Sequence, residues 1–361
     1  MNLPTILLTI QWMVRDTFRQ SLASKLFWVL LGAIALCILF CLSIGVSGDD
    51  RMPLGKGEVA EMLSRNEATR RGMSLLTKSG AAHIGGNAPL AAMAESWGRE
   101  DARQNGVDVP SGEITVGFGI IKLREIGRDR TDSVRFIHIL LAGLIADTAG
   151  IFLALIWTAG FIPNFLEPGN VTVMLAKPVP RWALLFGKFL GVMLFVSAQA
   201  ILFVLGTWLA LGLKTGVFDG LYLLSIPMMI LHFGVFFSFG VLMGVWSRNT
   251  TVCLLSTLIF WLASWGMNFG WVAVSINDLS AFSPLSRFIL DAGYWIIPKP
   301  LDLNMILYDA LKADGFTMKV GEFERLQDLH LFKPELSVLS SALFGIVMLA
   351  SACWEFEKQE Y

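Results

Sequence analysis

Six stretches of this chain, at about residues 26–46, 136–162, 182–213, 220–247, 249–277 and 336–354, are almost wholly apolar. Each is as long as the roughly 20 helical residues that cross a hydrocarbon core about 30 Å thick. Within such a core every backbone N–H and C=O has to be satisfied inside its own segment. The pattern therefore predicts an all-α polytopic membrane protein with six transmembrane helices. Composition agrees, with 55% hydrophobic and only 16% charged residues, against about 25% charged in a soluble domain. Mean hydropathy is +0.62, and a water-soluble enzyme is excluded. The uncharged first stretch is longer than a signal-peptide core, and no small-residue cleavage site follows it cleanly, so it is expected to remain as an anchor.

Charge is confined to two polar segments. Residues 47–135 hold 13 Lys/Arg and 13 Asp/Glu, residues 277–335 hold 6 and 9, and the remaining 213 residues share 16. Both segments are near neutral and the net charge is −1, so no basic footprint for nucleic acid or anionic lipid exists. A helix-like stretch at 58–76, a glycine-rich middle (Gly80, Gly85, Gly86) and a strand-like run at 114–123 make 47–135 a small α+β insertion. The segment 277–335 carries Tyr294, Trp295, Pro298 and Pro300, then an amphipathic stretch at 305–311, and reads as a loop with short helices. No internal repeat is evident. All four cysteines (Cys37, Cys41, Cys253, Cys353) fall in apolar stretches, so neither polar segment can form a disulfide and the redox compartment is not indicated.

Direction follows from the basic residues of short loops and flanks. With the N-terminus inside, Arg15, Arg19, Lys25, Lys177, Arg181, Lys188, Arg248 and Lys358 lie inside, against Lys214 alone in the short outer loop. This predicts a multi-pass inner or plasma membrane protein with both termini cytoplasmic. Its parts are then an interfacial segment 1–25, a first span 26–46, an extracytoplasmic subdomain 47–135, four spans within 136–276, an extracytoplasmic loop 277–335, and a last span with a short tail, 336–361. Leu3, Ile6, Leu7, Ile10, Met13, Val14, Phe18 and Leu22 recur at three- and four-residue steps, which predicts an N-terminal amphipathic helix lying on the inner interface, anchored by Trp12. Gly187/Gly191, Gly240/Gly244 and Gly266/Gly270 are small residues four apart that let helices approach closely.

Several chemistries are missing. The Gly-Lys pairs at Gly55 and Gly187 have Asp50 and Trp182 five residues earlier, so no phosphate-binding loop is present and catalytic residues are not expected. His83, His138, His232 and His330 are scattered without companion acids at ligand spacing, and no metal site is expected; His232 reads as an interhelical hydrogen-bonding residue. One charge stands within a span. Asp147 lies near the middle of the second, where an ionised carboxylate costs about 2.5–3.5 kcal/mol on insertion scales. It is a candidate intramembrane polar site, or else a tie to a polar residue such as Gln199 or Asn268.

Between the second and third spans, Pro168 and Gly169 end one helix, Asn170 is a fitting N-cap, 171–177 reads as a two-turn helix, and Pro178 and Pro180 stop it. The result is a stiff knob at 169–181 on the cytoplasmic side. Glu167, Gly169, Val171, Lys177, Pro178, Val179, Arg181 and Lys188 stand in an ungapped register that resembles the permeases of the type-2 ABC exporter superfamily. Asn170 stands where those permeases usually carry Thr. The resemblance implies that the knob is a coupling helix docking into a separate ABC ATPase subunit, with Glu167, Gly169, Asn170, Lys177, Pro178, Arg181 and Lys188 as its coupling residues. It implies a second permease subunit in a homo- or heterodimer, no cofactor bound by this chain, and ATP and Mg entering through the partner ATPase. The cargo expected is hydrophobic or amphipathic. The competing reading is a membrane assembly or scaffold protein whose outer segment binds an extracytoplasmic partner.

Overall fold

A computed structural model of the protein describes residues 3–54, 65–78, 87–105, 107–126, 130–167, 169, 179–276, 283–311, 326 and 329–359. Six helices in it are long and apolar enough to cross a membrane: Lys25–Ser43, Arg130–Phe165, Arg181–Thr215, Gly220–Ser247, Thr250–Ile276 and Pro334–Lys358. These are the first to sixth spans below. The second, third and sixth run past their apolar stretches, whereas the first ends at Ser43, short of residue 46, because backbone hydrogen bonding, not hydropathy, decides where a helix stops. The third span stops at Gly216, whose φ of 74° is the left-handed conformation that closes a helix. The fourth stops at Arg248 (φ 51°), and the Asn249 side chain then accepts from the amides of Thr251 and Val252 at 2.9 and 3.2 Å, capping the fifth.

The fourth span is the most enclosed. It lies against the second, third, fifth and sixth spans, and its Phe233, Phe236, Phe237, Val241 and Val245 enter one buried cluster with Leu155, Phe165, Leu185, Phe195 and Phe356. The first span is mostly uncovered, with Val29, Leu36 and Leu39 more than 60% exposed, as a lipid-facing helix should be.

The helix Leu3–Ala23 packs on the third span. Met13, Thr17 and Ser21 form its buried stripe, and the seat is glycine: a Cβ at Gly187 would come 2.9 Å from Met13 Cβ, and one at Gly191 would come 2.7 Å from Thr17 Cβ. Leu7, Leu8, Trp12 and Leu22 remain exposed, so the broad apolar face expected from sequence divides between a protein contact and an uncovered side. Gly240 and Gly244 likewise meet Thr257 and Ile162 closely, whereas Gly266 faces open space and Gly270 makes only an ordinary contact.

At the opposite end of the bundle, β1 (Gly45–Leu54), β2 (Val107–Val116) and β3 (Ile121–Ile126) form an antiparallel sheet in the order β1-β2-β3. β1 begins two residues after the first span ends, pairing Gly45 with Thr115 and Val46 with Ile114. The Phe118 amide donates to Ser43 O at 3.0 Å, and Ile44, Val46, Ile114, Val134 and Ile137 share one buried cluster. The strand-like run at 114–123 is thus the end of β2, a turn and the start of β3; Gly117, Phe118 and Gly119 all take positive φ, which reverses the chain inside the run. The helix expected at 58–76 is described from Arg65 to Lys78, and its first residues and the glycine-rich middle lie outside the described residues. A second helix, Asn87–Asn105, was not expected.

These two helices form an antiparallel hairpin in backbone contact. A Cβ at Gly72 would lie 1.6 Å from Ala94 O, and one at Gly98 would lie 1.9 Å from Ala68 O. No rearrangement of a side chain relieves a clash with backbone, so Gly98→Leu forces the pair apart. The expected outcome is rapid tryptic cleavage within 65–105 while the melting midpoint of the membrane bundle stays within error of wild type. Unchanged protease resistance would show that the hairpin is not packed in this way.

Candidate functional site

The helix ends on either side of residues 170–178 are both packed. The second span closes at Phe161–Phe165 and Leu166, with Ile162, Phe165 and Leu166 buried. On the far side Pro180 is extended and Arg181 opens the third span. Glu167 and Gly169 are exposed; Asn170, Lys177 and Pro178, and with them the expected two-turn helix, lie outside the described residues. Phe165 packs on Phe356 with ring centroids 6.2 Å apart. Arg181 donates to the carbonyl oxygens of Glu357 and Gln359. The Gln359 side chain accepts from Arg248 Nη2 at 2.8 Å and donates to Val245 O at 3.1 Å. One residue of the tail, Gln359, thus joins the third, fourth and sixth spans.

Lys188 stands apart from that arrangement. It is 1% exposed, its Nζ donates to Gln20 Oε1 at 2.6 Å and lies 3.6 Å from Asp16 Oδ2, and it sits 5.6 Å from the Phe161 ring centroid. An ammonium taken out of water has to be paired, and here the N-terminal helix supplies both partners. Trp157 Nε1 adds a bond to Ser24 Oγ at 3.0 Å. Asp16, Gln20, Ser24, Trp157, Phe161 and Asn164 line a cleft of about 620 Å³ between the N-terminal helix and the end of the second span.

Deep in the bundle, Asp147 meets neither Gln199 nor Asn268. Its Oδ1 lies 2.7 Å from His232 Nδ1, on the fourth span, and His232 Nε2 lies 3.3 Å from Trp261 Nε1, on the fifth. An indole N–H can only donate, so Nε2 accepts, the ring proton sits on Nδ1, and a neutral imidazole donates to the carboxyl group. Three spans are joined by one polar chain, and Asp147 Oδ2 is buried with no hydrogen-bond partner among the described residues. The second span is π-helical over Leu140–Gly150, its wider turns marked by Thr148 Oγ1 donating to Gly143 O, five residues back, at 3.0 Å. Such segments recur at functional sites. Nothing in an apolar run announces one, although two lone ionisable residues at mid-depth, Asp147 and His232, are a signal that they pair.

A second polar cluster, beneath the sheet end, was not expected. Lys299 and Asp302 are 0% and 1% exposed. Lys299 Nζ donates to Ser340 Oγ at 2.6 Å and lies 4.8 Å from the ring centroids of Tyr294 and Trp295, while Tyr294 and Ser337 donate to Asp302 Oδ2. The cluster pins the helix Pro300–Ala310 to the start of the sixth span. Burial pushes the Lys299 ammonium down to about 8, with Asp302 opposing the shift. Unfolding therefore takes up a proton between pH 8 and the ordinary lysine value of 10.5, so this residue's contribution to stability rises with pH through that window and is lost as pH falls to 8. Comparing melting midpoints of wild type and Lys299→Met from pH 7.5 to 10.5, wild type is expected to gain on the variant as pH rises. Parallel profiles would refute it.

Among the described residues no group of three or more His, Cys, Asp or Glu is placed to hold a metal ion. Six membrane-length apolar helices, with a further helix seated on the third span, define a multi-pass membrane protein. The chain matches the ABC-2 family transporter protein family over residues 11–361 and belongs to that family. It is an ABC transporter permease, a transport subunit rather than a catalytic one. No curated protein and no solved structure matches it.

Proposed function

We propose that this chain is the membrane-spanning subunit of an ATP-driven exporter, paired with a second permease subunit and with separate ABC ATPase subunits that bind ATP and Mg. In this reading both termini are cytoplasmic, residues 169–181 are the coupling helix, and Glu167, Gly169, Asn170, Lys177, Pro178 and Arg181 meet the ATPase. The observation that supports it is the anchoring of the two flanking helix ends: Phe165 packs on Phe356 and Arg181 is held by the sixth span's tail, so a displacement delivered to either end passes into the bundle. Lys188, buried under Asp16 and Gln20, serves by holding the N-terminal helix to the same stem. The cargo is hydrophobic or amphipathic.

The test is co-expression with a candidate ABC ATPase subunit. The purified chain alone should hydrolyse no ATP, and with the ATPase it should co-purify and show transport-linked turnover. After Cys37, Cys41, Cys253 and Cys353 are replaced, cysteines at Gly86 and Lys319 should react with an impermeant reagent from outside intact cells and one at Thr172 should not. Labelling at Thr172 would invert the orientation. Correct topology without any ATPase association would favour the scaffold reading.

A further inference from the structure

The three most exposed large apolar side chains among the described residues are Ile120 (86%), Phe118 (76%) and Leu213 (74%), and they adjoin one another. Phe118 and Ile120 sit in the turn between β2 and β3. Lys214, next to Leu213 in the last turn of the third span, holds its Nζ 5.5 Å from the centroid of the Phe118 ring. Apolar side chains scattered singly over a surface mean little, whereas contiguous ones mark a contact.

The turn is fixed at the edge of the membrane. Gly117, Phe118 and Gly119 take φ of 66°, 58° and 96°, a reversal that glycine makes without steric cost, and the Ile120 amide donates to Gly117 O at 3.3 Å. The amides of Gly117 and Phe118 donate to Ser43 Oγ and Ser43 O at 3.3 and 3.0 Å. Ser43 ends the first span, whose 19 residues, at about 1.5 Å each, match the thickness of the hydrocarbon core. The pairing of Gly45 with Thr115 puts the turn at the membrane end of the sheet, level with that boundary.

Continuity and charge say what covers the patch. Leu202, Leu205, Leu209 and Leu213 make an exposed stripe along the third span at three- and four-residue steps, the face such a helix turns to lipid, and the patch prolongs it. Lys214 and Arg130 are both exposed, and a Cβ at Gly216, which closes the third span, would come 3.6 Å from Arg130 Nη2. Asp219, nearby in the following loop, is already taken by Arg135 at 2.7 Å. Apolar side chains below and cations on long stems above match the order of an acyl chain and its phosphate.

We propose that the 117–121 turn and the last turn of the third span form a phospholipid-docking surface, with Phe118 and Ile120 in the upper acyl region and Lys214 and Arg130 at the phosphate. Two cations make no polybasic footprint, so the lipid is recognised by its phosphate and chains rather than by net charge. The sheet is thereby held down on the bilayer at the end where it joins the spans. This goes beyond the export reading and is independent of which side of the membrane the sheet faces.

The experiment uses the purified full chain in phosphatidylcholine nanodiscs, with the four native cysteines replaced and Ile120→Cys carrying an environment-sensitive fluorophore. Lipids bearing a nitroxide high on the acyl chain should quench it several-fold more than lipids bearing one at the chain end, and several-fold more than aqueous acrylamide. Phe118→Ser, which removes an apolar anchor, and the pair Lys214→Glu and Arg130→Glu, which repels the phosphate, should each shift the quenching several-fold toward acrylamide. Exchanging phosphatidylcholine for phosphatidylglycerol should leave the wild-type pattern unchanged. Should Ile120→Cys melt below wild type, Phe118→Cys carries the fluorophore instead. Quenching of the wild-type turn mainly by acrylamide would put it in water and overturn the proposal. Protection from both quenchers, or disulfide crosslinking of two copies through the introduced thiol, would put protein there and overturn it equally. Indifference to the two glutamate substitutions, or a requirement for phosphatidylglycerol, would overturn the phosphate assignment.

Discussion

Replacing residues 171–177 by a Gly/Ser segment of equal length should abolish transport-linked ATP turnover while leaving membrane insertion and the melting midpoint of the bundle unchanged. A flexible linker of that composition behaves as a coil whose ends move independently, so a displacement applied to it is absorbed before it reaches Phe165 or Arg181. The stems themselves are fixed by Phe356 and by the Arg181 bonds to the tail, and they remain when the knob is softened. Lys177→Glu should weaken ATPase association if the groove it enters is acidic. Lys188→Ala should instead loosen the N-terminal helix, because its partners are Gln20 and Asp16. Normal turnover and pull-down by the Gly/Ser variant would remove the coupling-helix reading.

Asp147→Leu should sharply reduce folded protein, and Asp147→Asn should not. Leucine strands the His232 Nδ1–H in the core, at a cost of about 1–3 kcal/mol for the orphaned donor, whereas asparagine keeps an acceptor oxygen for it. His232→Phe placed on Asp147→Leu should recover part of the yield, since removing both partners is far cheaper than removing one. Size-exclusion yield and melting of the four proteins give the coupling energy directly. Equal stability of Asp147→Leu and wild type would mean the pair carries no structural weight. A fall in transport by Asp147→Asn at normal yield would assign Asp147 Oδ2 a role beyond architecture.

The spans were legible because a hydrocarbon solvent imposes a length and a polarity that a single pass along the chain detects. Each of the six helices overlaps its apolar stretch. The knob was read from its proline and glycine punctuation, and the two-turn helix expected there lies outside the described residues. What the sequence concealed was pairing. Lys188 reads as one more positive-inside residue, and only the approach of the helix Leu3–Ala23 shows that it is buried. Lys299 and Asp302, three residues apart in a polar segment, look like solvated charges until Tyr294, Ser337 and Ser340 close around them. The π-helical turns around Asp147 depend on packing between spans and leave no mark in a run of apolar residues. The helix Asn87–Asn105 was hidden by its small and polar composition, which suits a hairpin in backbone contact but gives little hydrophobic period.

The short sheet has a mechanical consequence. Only Ile44 separates β1 from the first span, and the strand's pairing with β2, the Phe118 bond to Ser43 and the burial of Val134 and Ile137 in one cluster with Val46 clamp the first and second spans together at that end. The second span is therefore held at both ends, by the sheet at one and by Phe165 against Phe356 at the other. In the coupling reading proposed above, a push delivered near Phe165 meets a fixed far end, so the span would have to bend rather than slide. Between the two ends lie the wide turns of Leu140–Gly150, where the Asp147–His232 bond crosses to the neighbouring span.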